Sequence, residues 1–146
     1  MPEEALLLSI KPEFAKKVVA GEKTIELRRR MPKARAGQLV VLYESSPTQA
    51  LIGHFRIKDI IVEKPSKLWH HVRGAAGISK KEFQSYFEGV EYGVGIVMEE
   101  FESFHSPVGL DILRVNLKGF HPPQGHVYLN KKKVQLIEDM AALRGA

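Results

Sequence analysis

The sequence predicts an α+β fold in which helices surround a small, mixed β-barrel. Segments typical of strands dominate the middle of the chain, and helices interrupt them. These segments lie too close together for a series of βαβ crossovers, each of which needs a dozen or more residues. Only the segments that begin at Pro12 and near Ser79 fit such a connection. We therefore expect a closed or nearly closed barrel rather than a doubly wound, all-parallel sheet.

The first strand and helix follow from the apolar pattern near the N-terminus. Leu6 to Ile10 is a short apolar run, which is typical of a buried strand. Pro12 suits the first turn of a helix, because proline lacks the N–H that this position does not use. The helix is predicted to continue to about Ala20, and Gly21 ends it.

The stretch GEKTIELRRR, residues 21–30, combines strand-forming residues with six charges. Because side chains alternate between the two faces of a strand, Ile25 and Leu27 share one face and Glu26 and Arg28 share the other. We expect the apolar pair to point into the barrel core. The charged pair, together with Lys23, is expected to line a partly enclosed cleft.

The later elements are predicted from turn and capping signals. Ser79 and Glu82 have the spacing of a capping box at the start of a helix. Strands are predicted at 37–45, 49–63 and 92–100, and helices at 67–73, 80–87 and 134–143. A rigid loop is predicted at 121–126. The segment 111–116 is compatible with more than one structure.

Composition narrows the classes of function. The 146 residues fit one domain, 1–146, with 131–146 as a C-terminal helical extension. The net charge of +5 favours an anionic partner such as nucleic acid or a nucleotide. Without cysteine the chain forms no disulfide, and its six histidines have no metal-ligand spacing, so we expect neither metal nor cofactor. No apolar run approaches the ~20 residues that cross a bilayer, and we expect a cytoplasmic protein without a membrane partner.

The charged face of the strand can form a binding site. Glu26 and Arg28 are about 7 Å apart along the strand, a gap that their side chains can close to form a charge-assisted pair. Lys23 joins them only if the strand begins after it or twists there. Such a site would have one acceptor, Glu26, between two donors, Lys23 and Arg28. It would suit a ligand that presents a base edge beside a phosphate. The alternative is a solvated, salt-bridged strand face worth ~0–1 kcal/mol.

Four other residues are candidates for ligand binding. Lys11 precedes a helix without an N-cap side chain, which is a possible anion site. Ser46 follows Tyr43 in a hydroxyl-rich turn that can offer donors, although an ordinary turn has the same composition. Gln124 and Tyr128 follow a stiff Pro-Pro pair and can read a base edge or stack on it.

Several segments together resemble a known family. SIKPEFAKKVVAGEKTIELRR resembles the opening of an ASCH domain, a member of the PUA-like superfamily. The motif Gly-x-Lys-x-x-Glu-x-Arg of that family is matched by Gly21, Lys23, Glu26 and Arg28. VVLYESSPTQALIGHFRI resembles its next two strands, GISKKEFQSYFEG its internal helix and HPPQGHVYL its late loop, so the resemblance spans residues 5–130.

The resemblance implies a PUA-like barrel of about five to six mostly antiparallel strands, with a cleft in which the motif residues meet a ligand. Such domains are associated with RNA, nucleotides and modified nucleosides. The first interpretation is therefore a module that binds RNA or a nucleotide, as a monomer or weak dimer. It would act in RNA metabolism or in regulation linked to translation or transcription.

Two other interpretations remain open. Some small ASCH proteins are amidohydrolases that use lysine, threonine and glutamate to deacylate N4-acetylcytidine. Lys23 matches that lysine, whereas Glu26 stands in place of the threonine and Ala75 or Ala76 in place of the glutamate. The chain is then a hydrolase of a modified nucleoside or of RNA, with Glu26 as general base and Lys23 or Arg28 stabilising charge. The third interpretation is a partner-binding domain whose charges only keep it soluble.

Overall fold

Six strands in one sheet and five helices make up the computed structural model, which describes residues 3–145 and side chains as far as residue 142. The strands are β1 (Ala5–Ile10), β2 (Ile25–Arg28), β3 (Leu39–Glu44), β4 (Ala50–Glu63), β5 (Gly93–Gly109) and β6 (His126–Leu129). The helices are α1 (Pro12–Val19), α2 (Pro65–Val72), α3 (Lys80–Tyr86), α4 (Leu110–Asn116) and α5 (Lys131–Gly145). The proposed extension at 131–146 corresponds to α5, except that residue 146 lies outside the described residues.

The sheet has the order β2-β5-β4-β3-β1-β6 and curls into a half-barrel. Every neighbouring pair is antiparallel except β1 and β3, which are parallel. The predicted α+β class and the mostly antiparallel strands are therefore confirmed. Strands β2 and β6 are the two edges, so the barrel is held together between them by side chains instead of a strand ladder.

Three apolar clusters cover the two faces of the sheet. Leu8, Leu42 and Ile96 belong to the inner cluster, which α1 covers through Val18. The opposite face carries two clusters, one beneath α4 and α5 and one beneath α2 and α3. Both faces of the sheet are thus covered by helices.

The positions of Ile25 and Leu27 correct one expectation. Both side chains are buried, at 6% and 7% exposure, but they pack against α2 and α3 and do not enter the inner cluster. Glu26 pairs with Ile96 across the ladder, and residues paired in this way share a face. The alternation therefore turns Ile25 and Leu27 to the outer face. The prediction of burial was correct, and the prediction of the barrel interior was wrong because helices bury the outer face as well.

Most predicted elements are present with shifted ends. The capping box is complete, since Ser79 Oγ accepts from Glu82 N and Glu82 Oε1 accepts from Ser79 N, both at 3.1 Å. Helix α2 begins two residues earlier than expected, and the ambiguous segment forms α4. Strand β5 continues to Gly109, because the first half of β4 offers it a partner as far as Ala50. His126 begins β6 instead of ending the loop.

Candidate functional site

The motif residues meet because β2 begins at Ile25, just after Lys23. Glu26 and Arg28 lie on the inner face of the edge strand, where they pair with Ile96 and Val94 of β5. Lys23 precedes the strand, so its side chain does not have to follow the alternation of side chains between the two faces of β2. Its ammonium group turns to the same face and lies 3.5 Å from Glu26 Oε1.

Lys23 is buried, with 3% exposure. Its Nζ donates to the carbonyl oxygens of Ile25 at 2.8 Å and Ala76 at 2.6 Å, and it lies 5.5 Å from the centre of the Phe14 ring. Burial lowers the pKa of Lys23 below its usual value, and the carboxylate of Glu26 opposes this effect. With Glu26 as its third neighbour, the ammonium group ties β2 to the segment between α2 and α3.

Arg28 reaches from β2 to the other side of the half-barrel. Its Nη2 donates to Glu26 Oε2 at 2.7 Å and to the carbonyl oxygen of Ser9 at 2.9 Å. Its Nη1 donates to the carbonyl oxygen of Gly125 at 3.2 Å. Because Gly125 immediately precedes β6, this side chain joins the two edges of the sheet. We call this junction the seam; its two sides are Arg28 and Lys33, and Gly125 and Tyr128.

A second hydrogen bond crosses the seam. The backbone N–H of Lys33, in the loop after β2, donates to the hydroxyl of Tyr128 on β6 at 2.6 Å. Ser9 adds to the junction, since its hydroxyl donates to the carbonyl oxygen of Pro123 and its N–H donates to that of Gly125. The late proline-rich loop is therefore anchored to β1 and β2 at once.

A cleft of about 620 Å³ opens beside the seam. Ser9, Phe14, Tyr43, Tyr86 and Pro123 contribute to its wall. Its charged lining is balanced, because three basic side chains are matched by three acidic ones, namely Lys11, Lys23, Arg28, Glu13, Glu26 and Glu82. The cleft is therefore charged without an excess of positive charge.

Two buried polar side-chain atoms have no hydrogen-bond partner within the described part of the chain. They are Nε of Arg28 and the hydroxyl of Tyr43. Both residues contribute to the lining of the cleft, but the ring of Tyr43 packs in the cluster beneath α4 and α5 and is only 2% exposed. Burial raises the pKa of Tyr43, so its hydroxyl remains protonated and can donate. A buried donor without an acceptor is costly, and native structures contain few of them.

The structure brings together five of the seven predicted ligand-binding residues. Lys11, Lys23, Glu26, Arg28 and Gln124 all line the cleft. Ser46 and Tyr128 do not line it. The exposed Ser46 lies in the turn after β3, where its neighbour Ser45 reaches the cleft instead. Tyr128 lies at the seam.

The start of α1 differs from the expectation in its hydrogen bonding. Lys11 is the N-cap residue and makes no side-chain cap, as predicted. However, the N–H groups of Phe14 and Ala15 both donate to the carbonyl oxygen of Lys11. The helix therefore offers fewer free donors to an anion, and the side chain of Lys11 becomes the more useful group.

Sequence reasoning missed the aromatic part of the cleft. Tyr43 belongs to a buried strand, where a hydroxyl without a partner has no sequence signal. Tyr86 donates its hydroxyl to the carbonyl oxygen of Leu27 at 3.1 Å, and burial raises its pKa. It comes from α3, far from the motif in sequence. Only the hydroxyl-rich turn at 43–46 pointed to this region, and the pattern favoured an ordinary turn.

Metal sites and membrane spans are both absent from the described residues. No group of three or more histidine, aspartate or glutamate side chains in this part of the chain is arranged to hold a metal ion. None of its helices is long and apolar enough to cross a membrane.

Known proteins share both the sequence pattern and the fold. A protein of Zymomonas mobilis named "ASCH domain-containing ribonuclease" is 29% identical over 93% of this chain and 91% of its own length. The crystal structure of ASCH from Zymomonas mobilis superposes with a TM-score of 0.87 at 30% identity, covering 92% of this chain and 94% of that one. Human THYN1 protein, solved in complex with 5-methylcytosine-containing DNA, has a TM-score of 0.60 at 9% identity over 95% of this chain and 98% of that one, and this likeness shows the fold alone.

The family model described as "ASCH domain" matches residues 8–124, which include the motif strand, the internal helix and the first part of the late proline-rich loop. The match covers most of the chain. The Zymomonas structure has the same fold over 92% of this chain. The chain therefore belongs to the ASCH domain family of the PUA-like superfamily.

Proposed function

We propose that the protein binds single-stranded RNA or a free nucleotide in the cleft beside the seam, and that it acts in RNA metabolism. The observation that carries this proposal is the cleft of about 620 Å³ lined by Lys23, Glu26 and Arg28, where the buried Nε of Arg28 has no hydrogen-bond partner among the described residues. A phosphate or base oxygen in the cleft would accept from this atom. Binding would then remove the cost of one unsatisfied donor.

The size and lining of the cleft support a ligand of nucleotide size. Small-molecule sites usually have ≈ 300–1,000 Å³, and this cleft has about 620 Å³. Proteins that recognise RNA by sequence mostly bind unpaired bases in such places, with aromatic or arginine planes beside them. Phe14 and Tyr86 supply aromatic walls here.

The charged residues divide into two roles in this proposal. Lys23, Glu26 and Arg28 hold one another and the sheet edges, so they shape the cleft more than they offer free charge. Lys11 and Gln124 are exposed at the cleft, and neither side chain makes a hydrogen bond or ion pair within the described residues. Lys11 would bind phosphate, and Gln124 would read a base edge.

The comparison with relatives also supports a function that involves RNA. The relative that covers almost the whole chain carries ribonuclease in its name, and the family model spans both sides of the cleft. The balanced lining of the cleft also fits a ligand held by directed hydrogen bonds rather than by bulk charge.

Equilibrium binding tests the proposal. The four ribonucleoside monophosphates and N4-acetylcytidine would be titrated calorimetrically, and labelled RNA and DNA hexamers by fluorescence anisotropy. Lys11→Ala is expected to weaken phosphate-containing ligands about tenfold. The matched control is Lys16→Ala, which removes an exposed lysine of α1 that does not line the cleft. Equal affinities for the two variants, or no binding by the unmodified protein, would contradict the proposal.

Cleavage of bound RNA is a second candidate function, favoured by the ribonuclease name of the Zymomonas relative and by the place of Lys23 in the lining of the cleft. Burial lowers the pKa of Lys23, which makes this lysine the candidate acid or base. In such a reaction the 2′-hydroxyl loses its proton to the base and attacks the adjacent phosphorus. The 5′-oxygen of the next nucleotide leaves and takes up a proton, which gives a 2′,3′-cyclic phosphate end and a 5′-hydroxyl end. Glu26 suits the role of base less well, because cations already contact both of its oxygens.

Product analysis separates binding from cleavage. End-labelled RNA incubated with the protein should yield cyclic-phosphate ends if cleavage occurs. Lys23→Arg keeps a cation but removes a group that can deprotonate, so it should retain RNA binding and lose cleavage. Glu26→Gln should retain much of both. RNA that stays intact while it binds would leave a binding module as the function.

A further inference from the structure

The positive charge of the protein lies outside the cleft. The cleft lining is balanced, yet residues 27–43 contain five basic residues and no acidic residue. Arg28 is used at the seam, and Arg29 donates to the carbonyl oxygens of Tyr86 and Glu88 on the α3 side. Arg30 and Lys33 are exposed, and within the described residues their side chains make no hydrogen bond or ion pair. They are cations free for an external partner.

Exposed aromatic rings lie across the seam from these cations. His126 and Tyr128 share one face of β6, and their rings are in edge-to-face contact with centroids 5.5 Å apart. Tyr128 is 46% exposed. The register places both residues on the inner face of the sheet, opposite Leu8 and Leu6. Among the described residues β6 is the edge strand of the sheet, so no further strand of this part of the chain covers them.

The ring of Tyr128 is held in place from the other side of the seam. The N–H of Lys33 donates to its hydroxyl at 2.6 Å, so the loop that carries the cations also fixes the aromatic ring. Nearer the cleft, Arg28 joins β2 to Gly125, one residue before His126. One continuous path therefore leads along the seam from the cleft, past Arg28, to the rings of His126 and Tyr128.

We infer that this path is a second binding region, in which an RNA strand that leaves the cleft stacks a base on Tyr128 and places phosphates beside Arg30 and Lys33. The inference rests on the proposed function, since the first nucleotide occupies the cleft. Alternation of basic side chains with stacking rings is the arrangement that single strands require. An unpaired strand offers the π-faces of its bases and the regularly spaced charges of its phosphates, which match the two parts of the path. The ligand is thus an oligonucleotide of several unpaired residues.

The test compares a short ligand with a long one. Uridine monophosphate reaches only the cleft, whereas a single-stranded hexauridylate reaches the seam as well; 2′-fluoro nucleotides remove the hydroxyl that cleavage would need. Affinities are measured for the unmodified protein, Tyr128→Ala, Tyr128→Phe and the double variant Arg30→Ala/Lys33→Ala. The matched control is Lys64→Ala/Lys67→Ala, which removes two exposed lysines at and beside α2.

Tyr128→Ala should weaken the hexamer roughly 5- to 100-fold, because the base can no longer stack on a ring. Tyr128→Phe keeps the ring and should stay within about threefold, as the face that stacks is unchanged. The double seam variant should weaken the hexamer and reduce the slope of log affinity against log salt by ~0.7 for each phosphate that is no longer neutralised. The monophosphate should bind all variants within about twofold, since none of them lines the cleft.

The outcomes separate the inference from the function on which it rests. Hexamer affinity that the seam variants leave unchanged, or that the α2 control reduces as strongly, would overturn the inference and leave the cleft proposal standing. A hexamer that binds no more tightly than the monophosphate would likewise overturn the inference and leave the cleft proposal standing. Failure of the unmodified protein to bind either ligand would overturn both.

Discussion

The guanidinium of Arg28 donates to the carbonyl oxygen of Gly125 across 3.2 Å, from one edge of the half-barrel to the loop that begins the other edge. The same group donates to Glu26 and Ser9. A motif that suggests a ligand site by its charges therefore also closes the fold. Stability and binding should both depend on it.

Arg28→Ala is expected to destabilise the protein by about 3 kcal/mol. The side chain is 13% exposed and makes three hydrogen bonds, and bonds to charged groups contribute ≈ 1.5–3 kcal/mol each before solvent screening reduces them. Urea denaturation measures the change, and the exposed Arg30→Ala serves as control. A loss no larger than that of the control would show that the seam does not depend on this side chain.

Ile25→Ala should cost about 2–5 kcal/mol, because it leaves a cavity between β2 and helices α2 and α3. Val19→Ala is a suitable control, since Val19 is 56% exposed. Thermal and urea unfolding would measure both variants. Similar small losses for the two would contradict the packing of the outer face.

Gly77→Ala should destabilise more than Gly74→Ala. Both glycines have positive φ, at +70° and +86°, so each variant bears the cost of a left-handed alanine, ~1–2 kcal/mol. Only at Gly77 would the new methyl group also lie 3.2 Å from the side chains of Lys17 and Lys23. The difference between the two unfolding free energies isolates that close approach, and equal values would mean that the side chains of Lys17 and Lys23 move aside without cost.

The stability contributed by Lys23 should depend on pH in the alkaline range. Its folded pKa is lowered below 10.5, chiefly by burial, so the unfolded chain binds more protons between the two pKa values. Stability must then rise as the pH increases through the folded pKa towards 10.5. We expect the unmodified protein to gain stability relative to Lys23→Met across that window.

Comparison with the methionine variant removes other alkaline titrations from the measurement. Tyr86, whose pKa burial raises, titrates in both proteins and cancels in the difference. Urea midpoints at several pH values up to 10.5 would supply the data. A stability difference that stays constant, or that moves against the unmodified protein, would contradict a lowered pKa for Lys23.

Tyr43→Phe should leave the free energy of unfolding unchanged or increase it slightly, because the buried hydroxyl has no partner among the described residues. Nucleotide affinity should not change, because the ring of Tyr43 packs in the cluster beneath α4 and α5. Calorimetric titration and thermal unfolding of the same preparation would measure both. A loss of affinity of ~1 kcal/mol, the usual net value of one hydrogen bond, would show instead that the hydroxyl contacts the ligand.

Sequence reasoning predicted the strand character of the motif, because Ile25 and Leu27 alternate with charged residues and alternation has one structural meaning in a sheet. It also located the capping box at Ser79, since that signal is confined to four residues. It could not tell which face of β2 was the barrel interior. That depends on α2 and α3, whose docking is decided by contacts far away in sequence.

The environment of Lys23 was equally beyond local patterns. Its charge suggested partial hydration, yet the carbonyl oxygen of Ala76 and the ring of Phe14 enclose it. Both partners come from other elements, and a backbone carbonyl carries no sequence signature. Tyr43 illustrates the same limit, because its position in an apolar strand predicts burial but not an unsatisfied hydroxyl. The surroundings of Lys23 and Tyr43 depend on residues distant in sequence, so they could be recognised only in the folded chain.

The place of β1 between β3 and β6 has a consequence for biosynthesis. Ala5, Leu6, Leu7 and Leu8 have no exposed surface, and β6, the last strand along the chain, covers one edge of this first strand. A growing polypeptide thus carries the apolar strand β1 without its partner β6 until residues 126–129 have been made. Such long-range pairing is slow, and unpaired apolar edges aggregate. Nascent chains that stall before residue 126 should therefore be substrates for chaperones or proteases.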